Sequence, residues 1–240
     1  MVLTNFHTAN GSRISFTRDQ ASRFAKEIAN DFNPLHDVDA KMFCVPGDLM
    51  FSVTLNRLGL SRHMRIDFSG MVSDNDVIFP DSGSSNIAVV DDEGKQYLTI
   101  LREGELTHDQ TLIDNLSRSY VAFSGKTFPD ILVPLMAQQA VMINPARPLI
   151  MYQSMEISLD RLDLREPCLK PTGSSLEVQG KKGTVRLDFR FLEDGEEVGH
   201  GAKYMTLRGL RTYQAETMQR LVDEYNRYKQ AYNYRASLAG

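Results

Sequence analysis

Residues 79 to 105 have the sequence FPDSGSSNIAVVDDEGKQYLTILREGE, and residues 170 to 196 have the sequence KPTGSSLEVQGKKGTVRLDFRFLEDGE. Both segments contain a proline, Gly-Ser-Ser, an alternating apolar stretch, a turn with glycine, a second alternating stretch and an acidic turn. The spacing is 90, 89 and 91 residues for the pairs Gly83 and Gly173, Gly94 and Gly183, and Gly104 and Gly195. A repeat at a nearly fixed spacing predicts two tandem units of the same fold.

The second segment has the pattern of a β-hairpin with one buried face. Four apolar side chains alternate with charged ones between residues 185 and 191, which is the period of two of a strand. The acidic turn at residues 193 to 196 leads to a predicted return strand, Val198 to Leu207. In the first segment, residues 97 to 101 are expected at the equivalent position. The polar stretch from Glu105 to Ser117 is interpreted as the loop that joins the two units.

Three stretches have the periodicity or length of helices. Leu49 to Leu58 and Ile131 to Met142 are apolar on most faces, so we predict that each is a helix buried against a sheet. The first follows FCVPGD and the second follows FSGKTFPD, which places each helix ahead of its predicted strands. Apolar residues recur with a helical period from Gln214 to Tyr232, which predicts an amphipathic C-terminal helix docked on the body.

The predicted fold class is therefore α+β, with two antiparallel sheets that each wrap around a central helix and pair edge to edge. Residues 1 to 117 form the predicted N-terminal half, which carries the candidate site. Residues 118 to 210 form the C-terminal half, and residues 211 to 240 form the C-terminal helix and tail.

Composition excludes several classes of function. The chain has 240 residues, a formal net charge of −4 and basic residues scattered among acidic ones, so nucleic acid is not an expected partner. No stretch approaches the roughly 20 apolar residues that cross a bilayer, and the first residues lack a signal peptide. We therefore expect no membrane association and a cytoplasmic location. Cys44 and Cys168 lie far apart without metal-ligand spacing, which predicts neither a disulfide nor a zinc site.

Residues 22 to 50, SRFAKEIANDFNPLHDVDAKMFCVPGDLM, contain the residue types of a chemical site. The Asn33-Pro34 step ends a helix predicted to begin at Ser22, because the residue before proline avoids the helical region. Asp31 and His36 are therefore expected in a turn. A carboxylate and an imidazole held close together divide acid and base work on one substrate.

Two neighbours complete the candidate site. Asn33 is expected to orient one of the catalytic side chains. Gly47 precedes Asp48 at the predicted start of the first buried helix, where a free backbone N–H polarises a carbonyl group.

The motif Asp31, Asn33, Pro34 and His36, with Gly47 after it, resembles the D-x-N-P-x-H signature of the MaoC-like hydratases. These are (R)-specific enoyl-CoA hydratases and related acyl dehydratases of hotdog fold. The resemblance implies a tandem hotdog fold and acid and base roles for Asp31 and His36. It also implies that the Gly47 amide receives the thioester carbonyl. We predict substrate-binding roles for Asn33, Gly47 and Asp48. The whole chain also resembles an uncharacterised bacterial hotdog family.

The resemblance implies an acyl-CoA or acyl carrier protein thioester as partner and no cofactor, and we expect a homodimer as one form of assembly. Two other functions stay open: a thioesterase that uses Asp48, and a non-catalytic protein that binds acyl groups. Asp31 and Asn33 are also suited to turn and capping roles, and Asp48 to a favourable position at a helix start. A metal site is the weaker alternative for His36, Asp37 and Asp39, because the rest of the sequence offers no matching cluster of histidines. No metal is therefore predicted.

The second half lacks a D-x-N-P-x-H motif. Its Asp130 is the predicted counterpart of Asp48, and the surrounding region is expected to be apolar. We therefore predict that the polar site belongs to the first half alone and that the second half supports the fold and walls an acyl tunnel.

Overall fold

The computed structural model describes residues 2 to 80 and 83 to 239, with side chains to residue 234. Ten of its strands form one antiparallel sheet, and two short strands form a second sheet. The strands are β1 (Thr8–Asn10), β2 (Arg13–Ser15), β3 (Leu60–Phe68), β4 (Val77–Ile78), β5 (Asn86–Val90), β6 (Gln96–Thr107), β7 (Val141–Met142), β8 (Leu149–Leu159), β9 (Cys168–Gln179), β10 (Lys182–Glu193), β11 (Glu196–Arg208) and β12 (Arg211–Thr212).

The helices lie at the chain start, between strands and at the chain end. The α-helices are α1 (Arg18–Arg23), α2 (Gly47–Leu58), α3 (Gln110–Ser124), α4 (Val133–Gln138) and α5 (Ala215–Ala239). Two π-helical turns, Phe24–Ile28 and Phe128–Leu132, and two 3-10 turns, Leu3–Asn5 and Pro34–His36, accompany them. No helix within the described residues is long and apolar enough to cross a membrane.

The strand order in the large sheet is β1-β2-β4-β5-β6-β3-β8-β11-β10-β9. The prediction of an α+β fold with a large antiparallel sheet is confirmed. The strands form one continuous sheet, and its division into two units that pair edge to edge stays a prediction. The junction is the pairing of β3 with β8, where Ile66 lies opposite Met155. This pairing satisfies backbone groups that a free sheet edge would leave exposed.

The two similar sequence segments do not occupy equivalent strands. Counted outward from the β3–β8 junction, β6 corresponds to β11 and β5 corresponds to β10. Residues 79 to 105 contain β5 and β6, whereas residues 170 to 196 contain β9 and β10. The predicted register of the repeat is therefore wrong by one strand. Glycine turns between alternating stretches occur in any antiparallel hairpin, so they do not specify which hairpin a segment forms.

The stretch from Glu105 to Ser117 is not a loop. It completes β6 and begins α3, which Asp109 caps by accepting hydrogen bonds from the amides of Thr111 and Leu112 at 2.8 and 3.2 Å. Helix α3 buries one apolar face and exposes a polar one, which is why its average composition is polar. The boundary at residues 117 and 118 falls inside this helix, and the division into domains stays a prediction.

Helices α2 and α3 pack against each other and against the sheet. The ring of Phe51 lies 4.5 Å from that of Tyr120, which in turn lies 5.8 Å from Phe189 on β10. The helix expected from Ile131 to Met142 is shorter, because Ala140 adopts a left-handed φ of 52° and the chain then enters β7. The partner of α2 is consequently α3.

The C-terminal helix extends farther than predicted, to Ala239. Met218 is buried on the body of the protein. Three tyrosines of α5 surround the ring of Phe32 in edge-to-face contacts at 5.7 to 6.1 Å between ring centroids: Tyr225, Tyr228 and Tyr232. The helix thus docks on the turn that carries Asp31.

Candidate functional site

The turn that contains Asp31 begins where the first helical segment ends. Thr17 and Gln20 form a capping box at the start of α1, and the helix continues through the π-helical turn. Asn30 then adopts a left-handed φ of 53°. The amide of Asp31 donates to the carbonyl of Ala25 at 2.8 Å, so the reversal of the chain is fixed by a backbone hydrogen bond.

Asn33 organises this turn, in part through its backbone. Its amide donates to Asp31 Oδ1 at 3.0 Å, while its side-chain oxygen accepts from the amide of Leu35 at 3.1 Å. The side chain therefore caps the 3-10 turn Pro34–His36, and the backbone amide holds the carboxylate. The capping role expected for Asn33 as a simple turn residue is present in the structure.

His36 is held in one tautomer. Its Nδ1 lies 2.7 Å from the carbonyl oxygen of Cys44, which only accepts hydrogen bonds, so Nδ1 carries the proton. Nε2 of the neutral ring is then an acceptor, and it lies 3.7 Å from Asp31 Oδ2. The two side chains are 10% and 28% exposed, respectively.

The environment of Asp31 disfavours its charged form. Desolvation is the largest influence and raises the pKa of Asp31, while the charge of His36 and the Asn33 amide act in the opposite direction. The net direction is upward. A carboxylate with a raised pKa is a stronger base once ionised, which suits proton transfer near neutral pH.

All five predicted site residues line one cavity of about 390 Å³: Asp31, Asn33, His36, Gly47 and Asp48. Most of the remaining lining is apolar, with contributions from Leu98, Ile143, Ile150 and Met205. The structure brings the turn and the start of α2 together at this cavity. Their roles in chemistry remain proposals.

Gly47 is the first residue of α2 and follows Pro46, so the first amides of this helix have no acceptor within the helix. A Cβ atom at residue 47 would lie only 2.8 Å from Cδ1 of Tyr152. Glycine is therefore required by the packing of α2 on Tyr152. An anion or a polarised oxygen near these amides is favoured by the helix dipole.

Asp48 forms a buried ion pair that the sequence did not reveal. Lys203 Nζ on β11 lies 3.3 Å from Asp48 Oδ1, and the two side chains are 4% and 8% exposed. The ammonium group also donates to Ser124 Oγ and lies 4.1 Å from the ring centroid of Tyr152. Residues 48 and 203 are 155 positions apart, so no local motif links them.

The hydroxyl groups of Tyr120 and Tyr152 are hydrogen-bonded to each other beside this ion pair. Burial raises the pKa of both tyrosines well above the ordinary value, and the charge of Asp48 acts in the same direction. Both phenols therefore stay protonated at neutral pH. They form a rigid polar wall beside the Lys203 side chain.

The polar site extends into the second half, contrary to prediction. Ser124, Thr127, Tyr152 and Lys203 all line the cavity. Asp130, the expected counterpart of Asp48, is exposed on the π-helical turn. The expectation failed because α3, which ends at Ser124, occupies the place beside α2 that was assigned to the later apolar stretch.

Helix α5 forms another wall of the cavity through Leu221, Tyr225 and Tyr228. The amide of Phe32 donates to the hydroxyl of Tyr225 at 3.3 Å. Burial raises the pKa of Tyr225 to about 12. The C-terminal helix therefore fixes the backbone next to Asp31, although the pattern of its tyrosines predicted only docking.

The alternative of a metal site gains no support from these contacts. Asp37 pairs with Lys26 at 2.8 Å, and Asp39 is exposed. Among the residues that the structure describes, no group of three His, Cys, Asp or Glu side chains is arranged to hold a metal ion. Burial raises the pKa of Cys44 to about 12, so its thiol is a poor nucleophile at neutral pH.

Comparison with solved structures finds several similar chains. The full-length peroxisomal multifunctional enzyme type 2 from Drosophila melanogaster has 14% sequence identity and a TM-score of 0.42; the match covers 82% of this chain but only 48% of that one. A conserved protein of unknown function with hot dog fold from Alicyclobacillus acidocaldarius has 9% identity and a TM-score of 0.44, with 87% and 98% covered. A MaoC-like dehydratase has 10% identity and a TM-score of 0.41, with 86% and 99% covered.

The sequence has no match among curated proteins. A family model, in contrast, matches residues 1 to 216, which include every strand and every cavity residue up to Met205. The chain therefore belongs to the family described as "Protein of unknown function (DUF3581)".

Proposed function

We propose that this chain is an acyl-thioester hydratase or dehydratase that uses Asp31 and His36 as its acid and base. The observation that carries the proposal is the position of His36 Nε2, which lies 3.7 Å from Asp31 Oδ2 beside a largely apolar cavity while Nδ1 faces the Cys44 carbonyl. When the imidazole is neutral, Nε2 and Oδ2 are both acceptors, and a small separation of the two side chains lets one water molecule donate to each of them. Such a water is oriented for attack on an electrophilic carbon.

The proposed reaction adds water across the double bond of a 2-enoyl thioester. One O–H bond of the water breaks and a new C–O bond forms at Cβ of the substrate. The pair accepts the released proton and delivers a proton to Cα, so that a 3-hydroxyacyl thioester forms. The reverse sequence removes water. A raised pKa at Asp31 helps because the carboxyl group must both accept and return a proton.

The thioester carbonyl is proposed to lie at the start of α2. The Gly47 amide has no acceptor within the helix and borders the same cavity as Asp31. When water adds at Cβ, negative charge develops on the carbonyl oxygen, and a preorganised N–H donor stabilises that charge.

The cavity supports an acyl chain as the rest of the ligand. Its volume of about 390 Å³ is within the range of roughly 300 to 1,000 Å³ for sites of small ligands. Most of the other side chains that line the cavity are aliphatic or aromatic. An acyl-CoA or an acyl carrier protein thioester is the proposed partner, without a cofactor, and the homodimer remains a proposal.

A tandem hotdog arrangement is part of the proposal. It is supported by the order of strands, in which β3, β6, β5 and β4 on one side of the junction mirror β8, β11, β10 and β9 on the other. The packing of α2 on α3 supports it as well. In this arrangement the boundary between the halves moves to the connection of β6 with α3.

The thioesterase that would use Asp48 is the second candidate, because Asp48 also lines the cavity. Its Oδ1 is engaged by Lys203, and both side chains are buried. A carboxylate in such a pair is less available to attack a thioester or activate water than Asp31, whose side chain is more exposed. This contrast favours the hydratase.

The direct test is hydration of crotonyl-CoA and longer trans-2-enoyl-CoAs by the purified chain, measured as loss of enoyl absorbance. Asp31→Asn and His36→Ala should each lower kcat by about 10² to 10⁴-fold, the usual range for a positioned acid or base. The double variant should lose much less than the product of the two factors, because the residues act as a unit.

Exposed residues of the same types provide matched controls. Asp39→Asn and His200→Ala should leave the rate unchanged, because both side chains are exposed and neither borders the cavity. Release of free CoA from saturated acyl-CoAs, with loss in Asp48→Asn, would support the thioesterase instead. Binding of acyl thioesters without turnover on any chain length or carrier would contradict both enzymes.

A further inference from the structure

Thr127 has a buried hydroxyl group without a hydrogen-bond partner among the described residues. Its side chain lines the cavity, and the residue is only 6% exposed. A buried hydroxyl without a partner costs folding free energy, and native proteins contain few of them. Only one other side chain of the described residues, Ser117, has such an atom, and it does not line the cavity.

Ser124 presents a second hydroxyl to the same cavity. It lies three residues before Thr127, and Thr127 has helical backbone angles of −69° and −43°. The turn of Gly125 and Lys126 separates the two residues, and both line the cavity. Ser124 Oγ already accepts a hydrogen bond from Lys203, which leaves its own O–H available as a donor.

Lys203 supplies a positive charge at this place. It also borders the cavity, and its pair with Asp48 fixes it next to the start of α2. Desolvation is the main influence that raises the pKa of Asp31; the charge of Asp48 acts in the same direction, and the charge of Lys203 acts in the opposite direction. The cation therefore lies within electrostatic range of the proposed acid and base.

The chain itself connects this group to the Asp31 turn. Gly125 follows Ser124, and a Cβ atom placed on it would lie 1.5 Å from the carbonyl oxygen of Ala29. The backbone at the end of α3 thus packs directly on the segment that leads into Asp31. Ser124 and Thr127, which line the cavity, therefore flank a backbone contact with the segment before Asp31.

We infer that Lys203, Ser124 and Thr127 form a second polar subsite of the cavity, which binds the carbonyl oxygen of an acyl thioester. This inference rests on the proposed function and adds to the Gly47 amide a set of side-chain donors. The class of ligand follows from the chemistry, because a cation and O–H donors match an oxygen that gains negative charge. The hydroxyl of Thr127 is buried in the ligand-free protein, and rotation of its side chain toward the cavity gives it an acceptor when the thioester binds.

The test uses cinnamoyl-CoA as a chromophoric probe with the full-length chain. A polarised thioester carbonyl shifts the absorption of the conjugated probe to longer wavelength, and titration of this change also yields the Kd. Thr127→Val should weaken binding by about 2- to 10-fold, the effect of one neutral hydrogen bond. Its melting temperature should stay equal or rise, because an unpaired buried hydroxyl is removed.

Three other variants complete the set. Thr127→Ser keeps the hydroxyl and should retain most of the affinity, whereas Ser117→Ala removes the unpartnered hydroxyl outside the cavity and should bind normally. Lys203→Met should lose most of the red shift and, in the hydration assay, about 10² to 10³-fold in kcat. Ser124→Ala should reduce the shift without removing the cation, so the result does not depend on the folding of Lys203→Met alone.

The outcomes separate this inference from the proposed function. A red shift that is retained in Asp31→Asn and lost in Lys203→Met supports the subsite even if no hydration occurs. Hydration by the wild type with unchanged probe affinity in Thr127→Val and an unchanged shift in Ser124→Ala would overturn the subsite alone. A wild type that does not bind the probe would overturn both.

Discussion

Two carboxylates face the same cavity with different partners. Asp31 lies beside His36, five residues along the chain, and the two side chains are 28% and 10% exposed. Asp48 lies beside Lys203, 155 residues along the chain, and both side chains are more than nine-tenths buried. The first pair is built by one turn, and the second requires α2 and β11 to meet.

The difference is one of electrostatic environment as well as chain distance. A buried ion pair is stable only while both charges are present, since one charge alone stays desolvated and uncompensated. A carboxylate next to an imidazole at the edge of a cavity is free to exchange protons with a ligand. The comparison predicts a fixed charge at Lys203 and a mobile proton at Asp31.

The largest effect on stability is expected from breaking the buried pair. Lys203→Met should lower the free energy of unfolding by about 3 to 5 kcal/mol, because Asp48 is left as a buried charge without its partner. The double variant with Asp48→Leu should recover most of this loss. Urea denaturation followed by circular dichroism provides the measurement, with Lys182→Met, an exposed lysine of the same sheet, as control.

If Lys203→Met alone were as stable as the wild type, the pair would not be the fixed element that the comparison requires. A double variant that is no more stable than the single one would show that the loss comes from packing.

The contact between the end of α3 and the segment before Asp31 is the next place to test. Gly125→Ala should destabilise the protein by about 3 kcal/mol, because its Cβ would collide with the Ala29 carbonyl and displace the backbone before Asp31. The hydration rate should also fall, and by more than the loss of folded protein accounts for. Gly83→Ala is the matched control, since an added Cβ there has no atom within 4 Å.

Thermal unfolding and hydration rates of both variants can be compared under the same conditions. A neutral effect of Gly125→Ala would mean that the end of α3 does not position the Asp31 turn.

The smallest expected effect is a change in pH dependence. The folded-state pKa of Asp31 is raised above 3.8, so its contribution to stability is fully present below that value and is lost as pH rises through the folded pKa. The asparagine side chain in the variant Asp31→Asn does not ionise, so the variant does not lose stability as the pH rises. The variant should therefore gain stability relative to the wild type as the pH rises above about 4.

Asp74→Asn should show the opposite sign, because the hydrogen bond from Arg18 lowers the pKa of Asp74. Denaturant unfolding at several pH values measures both. A difference between wild type and Asp31→Asn that does not change with pH would contradict the assigned environment of Asp31.

The sequence was most informative where the interactions are local. The break at Asn33-Pro34, the capping role of Asn33 and the start of α2 at Gly47 all depend on residues within a few positions. The alternation in β10 likewise predicted which side chains are buried. For that reason the Asp31 turn could be predicted as a unit before its surroundings were known.

The register of the repeat was wrong for a related reason. Alternation and glycine turns specify that a hairpin forms and which face is buried, but every antiparallel hairpin shares them. In the same way, the polar average of residues 105 to 117 concealed the amphipathic start of α3. Neither error could be corrected by local pattern, because the competing assignments have similar local free energies.

The amino-acid sequence by itself determined the α+β class, the antiparallel strands, and the turn in which Asp31 and His36 lie close together. Tertiary structure alone decided that β3 pairs with β8, that α3 packs on α2, and that Lys203 reaches Asp48 and Ser124. The physical reason is that local hydrogen bonds and side-chain periodicity act over a few residues. The pairing of strands and the partner of a buried charge depend on packing the whole core, to which distant segments contribute together.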